Sequence, residues 1–400
     1  MNTIHLVFHD GGGGHRNAAV ALRDVIAQQQ RPWNVELVHL QEILDPLDLL
    51  RRLTGVRIEE CYNAILRNGW TLGSTYLLRV LQATIRAYHG KTVRLLRDYW
   101  RRHPADLAVS LVPHFNRELC EGFGAACPGR PFVTLLTDLA DFPPHFWIER
   151  QKQFVICGTE RAVEQAHALG HDNAHVLRTS GMILRPDFYA AAGAGGDAGA
   201  YRRELGLEAD RATALVLFGG SGSSVMLEIA EQLNASGLKV QAILVCGKNE
   251  RLVAKLRARK WRIPAHVEGF TTRVFDFMRA ADFFIGKPGP GSISEALAMG
   301  LPVILECNAW TLPQERYNAE WVREKRVGIV LASFRELAGA VAGMLQPETL
   351  ERYRVSVAAE KNRAVFEIPD ILARILGMGR TLQATESLSG DEARAANATA

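Results

Sequence analysis

Three times in this 400-residue chain a short apolar run ends in a cluster of glycines that opens into a helical pattern. The first run, Ile4–Phe8, is followed by His9-Asp10-Gly11-Gly12-Gly13-Gly14-His15-Arg16. The second, Ala214–Phe218, leads into Gly219-Gly220-Ser221-Gly222. The third, Phe283–Ile285, leads into Gly286-Lys287-Pro288-Gly289-Pro290-Gly291-Ser292. A buried strand that turns sharply into a helix is the start of a β-α-β unit, which forces a parallel sheet covered by helices on both faces. Further strands are predicted at Val35–Val38, Leu107–Leu111, Phe132–Leu136, Val240–Val245 and Pro302–Leu305. Helical patterns lie between them, at about 15–30, 225–235, 248–260, 292–299 and 313–326.

The rhythm restarts after residue 200, beyond the small-residue stretch Ala190-Ala191-Ala192-Gly193-Ala194-Gly195-Gly196-Asp197-Ala198-Gly199-Ala200. Such a stretch buries little apolar surface and reads as a linker. The expected architecture is α/β, with two Rossmann-like doubly wound domains facing across a cleft. Residues 1–189 form the first domain, 190–200 the linker and 201–352 the second domain. The amphipathic stretch 353–378 is expected to be a helix returning to the first domain, and the Ser/Ala/Glu-rich tail 379–400 to be disordered.

Charged residues make up 22% of the chain and hydrophobic residues 48%, with a net charge of +4. These values suit a globular chain with a full core and argue against wrapping nucleic acid. No apolar run reaches the ~18–20 residues that cross a bilayer. The N-terminus enters a strand-like run without a basic segment, so no signal peptide is expected. The six cysteines form no C-x-x-C pair and read as reduced core residues. A protein of the cytoplasm is expected.

Open α/β sheets bind ligands beyond the carboxyl ends of their strands, where the glycine loops lie. Glycines let the backbone approach a ligand, and the following helix offers free N–H groups and a positive dipole end. His15 stands at the first such helix start, aimed at the cleft, or else caps the helix. In the third loop Gly289 and Gly291 open the approach and Ser292 caps the helix or donates to a phosphate. Glu295 is suited to accept ribose hydroxyls, although Ser292-x-x-Glu295 is also the pattern of a capping box. A P-loop is excluded, because Gly247-Lys248 and Gly286-Lys287 lack both the upstream glycine and the following Ser/Thr. A dinucleotide fold is disfavoured, because the first loop carries Arg16 where glycine is needed and the second strand ends His39-Leu40-Gln41. No D-x-D occurs to hold a metal–diphosphate, and Asp138 and Asp141 are spaced D-x-x-D.

The third loop with Ile293-Ser294-Glu295-Ala296, then Gly300-Leu301-Pro302, then Pro313-Gln314-Glu315-Arg316-Tyr317-Asn318, resembles the donor site of the GT-B nucleotide-sugar glycosyltransferases. It is most similar to the monogalactosyldiacylglycerol synthase and diacylglycerol glucosyltransferase family. Gly12-Gly13-Gly14-His15-Arg16 with Ala18-Ala19, and Thr137-Asp138 followed by His145-Phe146-Trp147, carry the same resemblance. It implies that Phe270 lies beside a uracil base, that Gly289, Gly291 and Ser292 hold a diphosphate, and that Glu295 holds the ribose. It further implies that Gln314 and Asn318 contact the donor sugar and that Gly220 and Ser221 face the diphosphate from the other side. Glu315 occupies a position where a Gln-like residue is usual. Gly13 and Gly14 would form the acceptor loop. His15 would be the base or the acceptor-orienting histidine, and Asp138 its partner on the acceptor side.

The implied reaction is inverting transfer of galactose or glucose from a UDP-sugar to diacylglycerol or a similar lipid. Backbone amides at 219–222 and 289–292, with Lys287, would stabilise the departing diphosphate without a metal or other cofactor. Segment 46–103 carries eleven Lys+Arg against four acids, interleaved with aromatic and apolar residues such as Trp70, Tyr76, Tyr88, Tyr99 and Trp100. Read alone, this is a set of amphipathic helices with a solvated Arg face. With the resemblance, it becomes a contact to an anionic membrane surface, placing the enzyme peripherally on the inner face of the membrane. The other readings are transfer to a polyprenyl or soluble acceptor, a non-catalytic nucleotide-sugar binding protein, and a UDP-sugar 2-epimerase.

Overall fold

A computed structural model describes residues 1–10, 13–47 and 74–378. Two six-stranded parallel sheets form the two halves. The N-terminal sheet contains β1 (Asn2–Phe8), β2 (Trp33–His39), β3 (Leu107–Ser110), β4 (Phe132–Leu135), β5 (Phe154–Cys157) and β6 (Val176–Arg178), in the order β2-β1-β3-β4-β5-β6. The C-terminal sheet contains β7 (Ala212–Leu217), β8 (Val240–Val245), β9 (Ala265–Glu268), β10 (Phe283–Gly286), β11 (Val303–Glu306) and β12 (Gly328–Leu331), in the order β12-β11-β10-β7-β8-β9. Strands β1, β7 and β10, which carry the glycine loops, are interior strands in these orders. Their near-continuous apolar sequence follows from burial on both faces. Ile4, Leu6, Leu215, Leu217, Phe284 and Ile285 are all buried.

The stretch expected to be a linker, 190–200, is helical at both ends. Residues Pro186–Gly193 and Ala198–Glu204 form helices of the C-terminal half. Phe188 is buried with Leu215, Phe277 and Phe284, and Arg279 donates to the carbonyl of Ala191 at 2.7 Å. Asp197 caps the second helix by accepting from Gly199 N–H at 2.8 Å. Phe188, Ala191 and the Asp197 cap anchor this stretch to the C-terminal half, so it is not a free tether, and the crossing falls earlier, within 180–185.

The return crossing also departs from expectation. The predicted helix 353–378 is two helices, Pro347–Ala359 and 364–378, separated by four non-helical residues. Asn362 causes the break by taking two partners. Its Nδ2 donates to the Met182 carbonyl at 2.8 Å, and its Oδ1 accepts from Ala364 N–H at 3.1 Å, capping the second helix. A β-carbon on residue 181 would lie 2.6 Å from Asn362 Cγ, so the outgoing chain needs Gly181 there. Beyond the break, Ile368, Ile371, Leu372 and Ile375 join the core made by Ile4, Leu6 and Leu107. The tail 379–400 lies outside the described residues.

Within the basic segment, Ser74–Arg102 is one 29-residue helix, and residues 48–73 lie outside the described residues. Its C-terminal part is a core element. Leu96 and Trp100 are buried, and the Trp100 indole N–H donates to His5 Nδ1 at 3.2 Å. These two residues, with buried Ile85, are therefore not available to a membrane. Arg86, Lys91, Arg94, Arg101 and Arg102 are exposed. Among the described residues, no helix is long and apolar enough to cross a membrane.

Candidate active site

The first glycine loop delivers His15 into the N-terminal wall of the cleft. Gly13 takes φ 79° just before the helix Gly14–Gln28. His15 Nδ1 shares a 2.8 Å hydrogen bond with Thr137 Oγ1, and its ring lies 4.4 Å from that of His9 and 5.8 Å from that of Trp147. Burial lowers the His15 pKa to about 4, against a backbone hydrogen bond with Leu111 that raises it. His114 is lowered to about 4 by burial and by the charge of His15, and burial holds His9 well below its ordinary value. These imidazoles are neutral at neutral pH.

Thr137 and Asp138 follow the end of β4. Asp138 Oδ2 accepts from the Trp147 indole N–H at 2.9 Å. Asp141 anchors the same tryptophan by accepting from its backbone N–H at 2.6 Å and from His145 N–H at 3.1 Å. Burial raises the Asp138 pKa to about 7. The Trp147 bond and Lys287 oppose the rise, while Glu315 and Asp141 add to it. Lys287 and Glu315 belong to the other half, so the facing walls meet electrically at Asp138. A carboxyl poised at neutrality suits general acid–base work.

On the C-terminal wall, Gly222 has φ +62°, and a β-carbon there would lie 2.2 Å from the Cys246 carbonyl oxygen. The Gly219–Gly222 loop is therefore pressed against the end of β8, with Lys248 N–H donating to Gly220 O at 2.9 Å. Gly220 is exposed and Ser221 half-buried. Phe270, past the end of β9, is 57% exposed and lies 5.1 Å from the Lys248 ammonium. An exposed ring with a cation on one face offers a platform for a flat heterocycle.

After β10, the helix Pro290–Ala298 has Gly289 as its N-cap, with no side-chain cap. Its first amide bond is Ile293 N–H to Gly289 O at 3.1 Å. The Gly291 and Ser292 N–H groups precede any intrahelical partner and make an anion site. Ser292 is thus inside the first turn, and the capping-box alternative for Ser292 and Glu295 does not form, because the N-cap, Gly289, lies three residues before Ser292. Glu295 is half-buried, and burial raises its pKa to about 7, opposed by Arg185.

Lys287 forms an ion pair with Glu315 of the 3-10 turn Pro313–Glu315, which also carries half-buried Gln314. Asn318 has no exposed surface, and its Nδ2 donates to the Pro288 carbonyl at 2.8 Å. As placed, it supports the loop after β10 from beneath. Sequence reasoning gave no role to Thr137, Trp147 or Lys248. Their positions beside Asp138 and Gly247 were the available signal. Among the described residues, no group of three or more His, Cys, Asp or Glu could hold a metal ion.

Two parallel-sheet domains with glycine loops on both walls of one cleft define a GT-B glycosyltransferase. The "MurG" structure from Acinetobacter baumannii superposes with a TM-score of 0.57 at 12% identity, covering 93% of this chain and 99% of that one. Residues 214–374 match the model of the glycosyltransferase family 28 C-terminal domain. The probable monogalactosyldiacylglycerol synthase 3 of Oryza sativa subsp. japonica is 35% identical over 91% of this chain and 73% of its own length. Monogalactosyldiacylglycerol synthase 1 of Arabidopsis thaliana is 27% identical over 91% of this chain and 69% of its own. The chain belongs to the monogalactosyldiacylglycerol synthase family.

Proposed function

We propose that this enzyme transfers a hexose, galactose or glucose, from a UDP-sugar to diacylglycerol or a similar lipid, with inversion at the anomeric carbon. The observation that carries the reading is Asp138 on one wall, facing Lys287 and Glu315 beside the anion loop on the other. The acceptor oxygen attacks the anomeric carbon as the bond from that carbon to the phosphate oxygen breaks. The electron pair leaves with UDP, and the hydroxyl proton passes to the Asp138 carboxylate. His15 orients the acceptor hydroxyl, since a neutral imidazole held by Thr137 is a better hydrogen-bonding post than proton store. The amides of Gly291 and Ser292, with Lys287, take the charge on the diphosphate, Gly220 and Ser221 face it, and no metal or other cofactor is required. Phe270 stacks on uracil, Glu295 accepts the ribose hydroxyls, and Gln314 contacts the sugar.

The names of the relatives support the lipid acceptor. The exposed arginines and lysine of Ser74–Arg102 support peripheral attachment to an anionic membrane, at its inner face. UDP release measured with diacylglycerol and a panel of UDP-sugars tests the proposal. Turnover with UDP-galactose or UDP-glucose that requires the lipid is expected. No lipid-dependent release with any UDP-sugar refutes it.

A further inference from the structure

Lys287, in the loop that follows β10, is engaged by a carboxylate. Its Nζ bonds Glu315, and the pair lies against the loop. A β-carbon on Gly289 would sit 3.5 Å from Lys287 Cε and 3.8 Å from Glu315 Oε1. The lysine side chain is 36% exposed on a flexible four-carbon stem, whereas that of Glu315 is 10% exposed on a short turn. The lysine is the more exposed and the longer of the two side chains, so it is the partner better able to swing away. A diphosphate seated on the Gly291 and Ser292 amides presents more charge than one carboxylate and competes for the ammonium. We propose that Lys287 exchanges partners on donor binding, leaving Glu315 for the diphosphate, and that Glu315 is thereby a positioning residue coupling donor occupancy to Asp138. This rests on the reading that the loop binds a nucleotide diphosphate.

The groups facing Asp138 set the sign of the coupling. From its own half these are the Trp147 indole N–H and Asp141, with the neutral His15 ring 5.8 Å from that of Trp147. From the opposite half they are Glu315 and Lys287. Paired, Glu315 and Lys287 present no net charge. Once Lys287 turns to the diphosphate, the Glu315 charge stands uncompensated and, with the diphosphate, favours a proton on Asp138. Asp138 therefore holds a proton more tightly with the donor bound, so a smaller fraction is ionised at neutral pH and each ionised carboxylate is a stronger base. Linkage makes this reciprocal, so donor binding takes up a proton.

Calorimetric titration with UDP tests the exchange. Glu315→Gln is expected to bind UDP about 3–30-fold tighter than wild type, a coupling of ordinary size for touching residues. Lys287→Met is expected to bind more weakly, and Glu315→Gln to gain less in that background. Equal or weaker UDP binding by Glu315→Gln, with wild type binding UDP, overturns the exchange. Failure of wild type to bind UDP overturns the functional reading instead. A second measurement needs no variant. At pH 8, where the terminal phosphate of UDP is already ionised, titrations in buffers of different ionisation enthalpy are expected to show net proton uptake. No uptake there overturns the coupling.

Discussion

The hydrogen bond from Trp147 to Asp138 can be removed with little change of shape. Trp147→Phe keeps an aromatic ring in a fully buried site and deletes the indole N–H that donates to Asp138 Oδ2 at 2.9 Å. A hydrogen bond to a buried charged group contributes about 1.5–3 kcal/mol. It acts on the ionised carboxylate alone, so its loss raises the Asp138 pKa by about 1–2 units at 1.36 kcal/mol per unit. The starting value is about 7, so the variant should titrate near ~8–9. The acid limb of kcat/KM should move to higher pH by that amount, since it reports the free enzyme. At pH 7 the rate should fall about 5–50-fold and recover as the pH is raised. The assay is UDP release across pH 6–10, with a melting curve taken beside each rate. An acid limb that stays in place while the rate falls equally at all pH values would refute Asp138 as the proton acceptor.

His15→Ala should lose most of kcat while UDP affinity stays within about 2-fold, because the imidazole serves the acceptor; a lost UDP affinity would place it on the donor side. Glu295→Ala should weaken UDP binding about 10–100-fold, and the two proteins should bind 2′,3′-dideoxy-UDP alike. Asp138→Asn should melt higher than wild type at pH 8. The folded pKa of Asp138, about 7, exceeds the ordinary value of 3.8, so native stability falls as pH rises between them, and Asn removes that loss. The difference in melting temperature should shrink toward pH 5. The protein should sediment with anionic liposomes at low salt and be released at high salt; indifference to both lipid charge and salt would remove the membrane contact.

The sheet interiors were legible in the sequence because parallel strands buried on both faces leave apolar runs. Strands β6, β9 and β12 lie at sheet edges and were not. Ala265–Glu268 is half-buried throughout, so neither a continuous run nor an alternation marks it. Interior β5, Phe154–Cys157, was also missed, although it is a buried apolar run of the same length as β3 and β4. The loop after β10 was legible because glycine and proline fix it locally. The contact between Trp147 and Asp138 was not, since it depends on how a buried loop folds back. The same holds for Lys287 and Glu315, 28 positions apart. The 190–200 stretch misled because composition reports side-chain apolarity and says nothing of Arg279 reaching a helix carbonyl.

The seam where the two chain crossings meet makes the enzyme separable in a particular way. Ser180 N–H and Oγ bond Glu367 at 2.8 and 2.7 Å, and Arg363 N–H donates to Ser180 Oγ at 2.7 Å. With Gly181 against Asn362, the N-terminal half is one body built from both ends of the chain. The C-terminal half is a single insert between them, entering after Met182 and leaving before Asn362. On the function proposed above, donor specificity resides in a cassette with adjacent ends. Exchange of that cassette between relatives would then graft a new sugar preference onto an unchanged N-terminal frame, provided that Gly181 and Asn362 travel together.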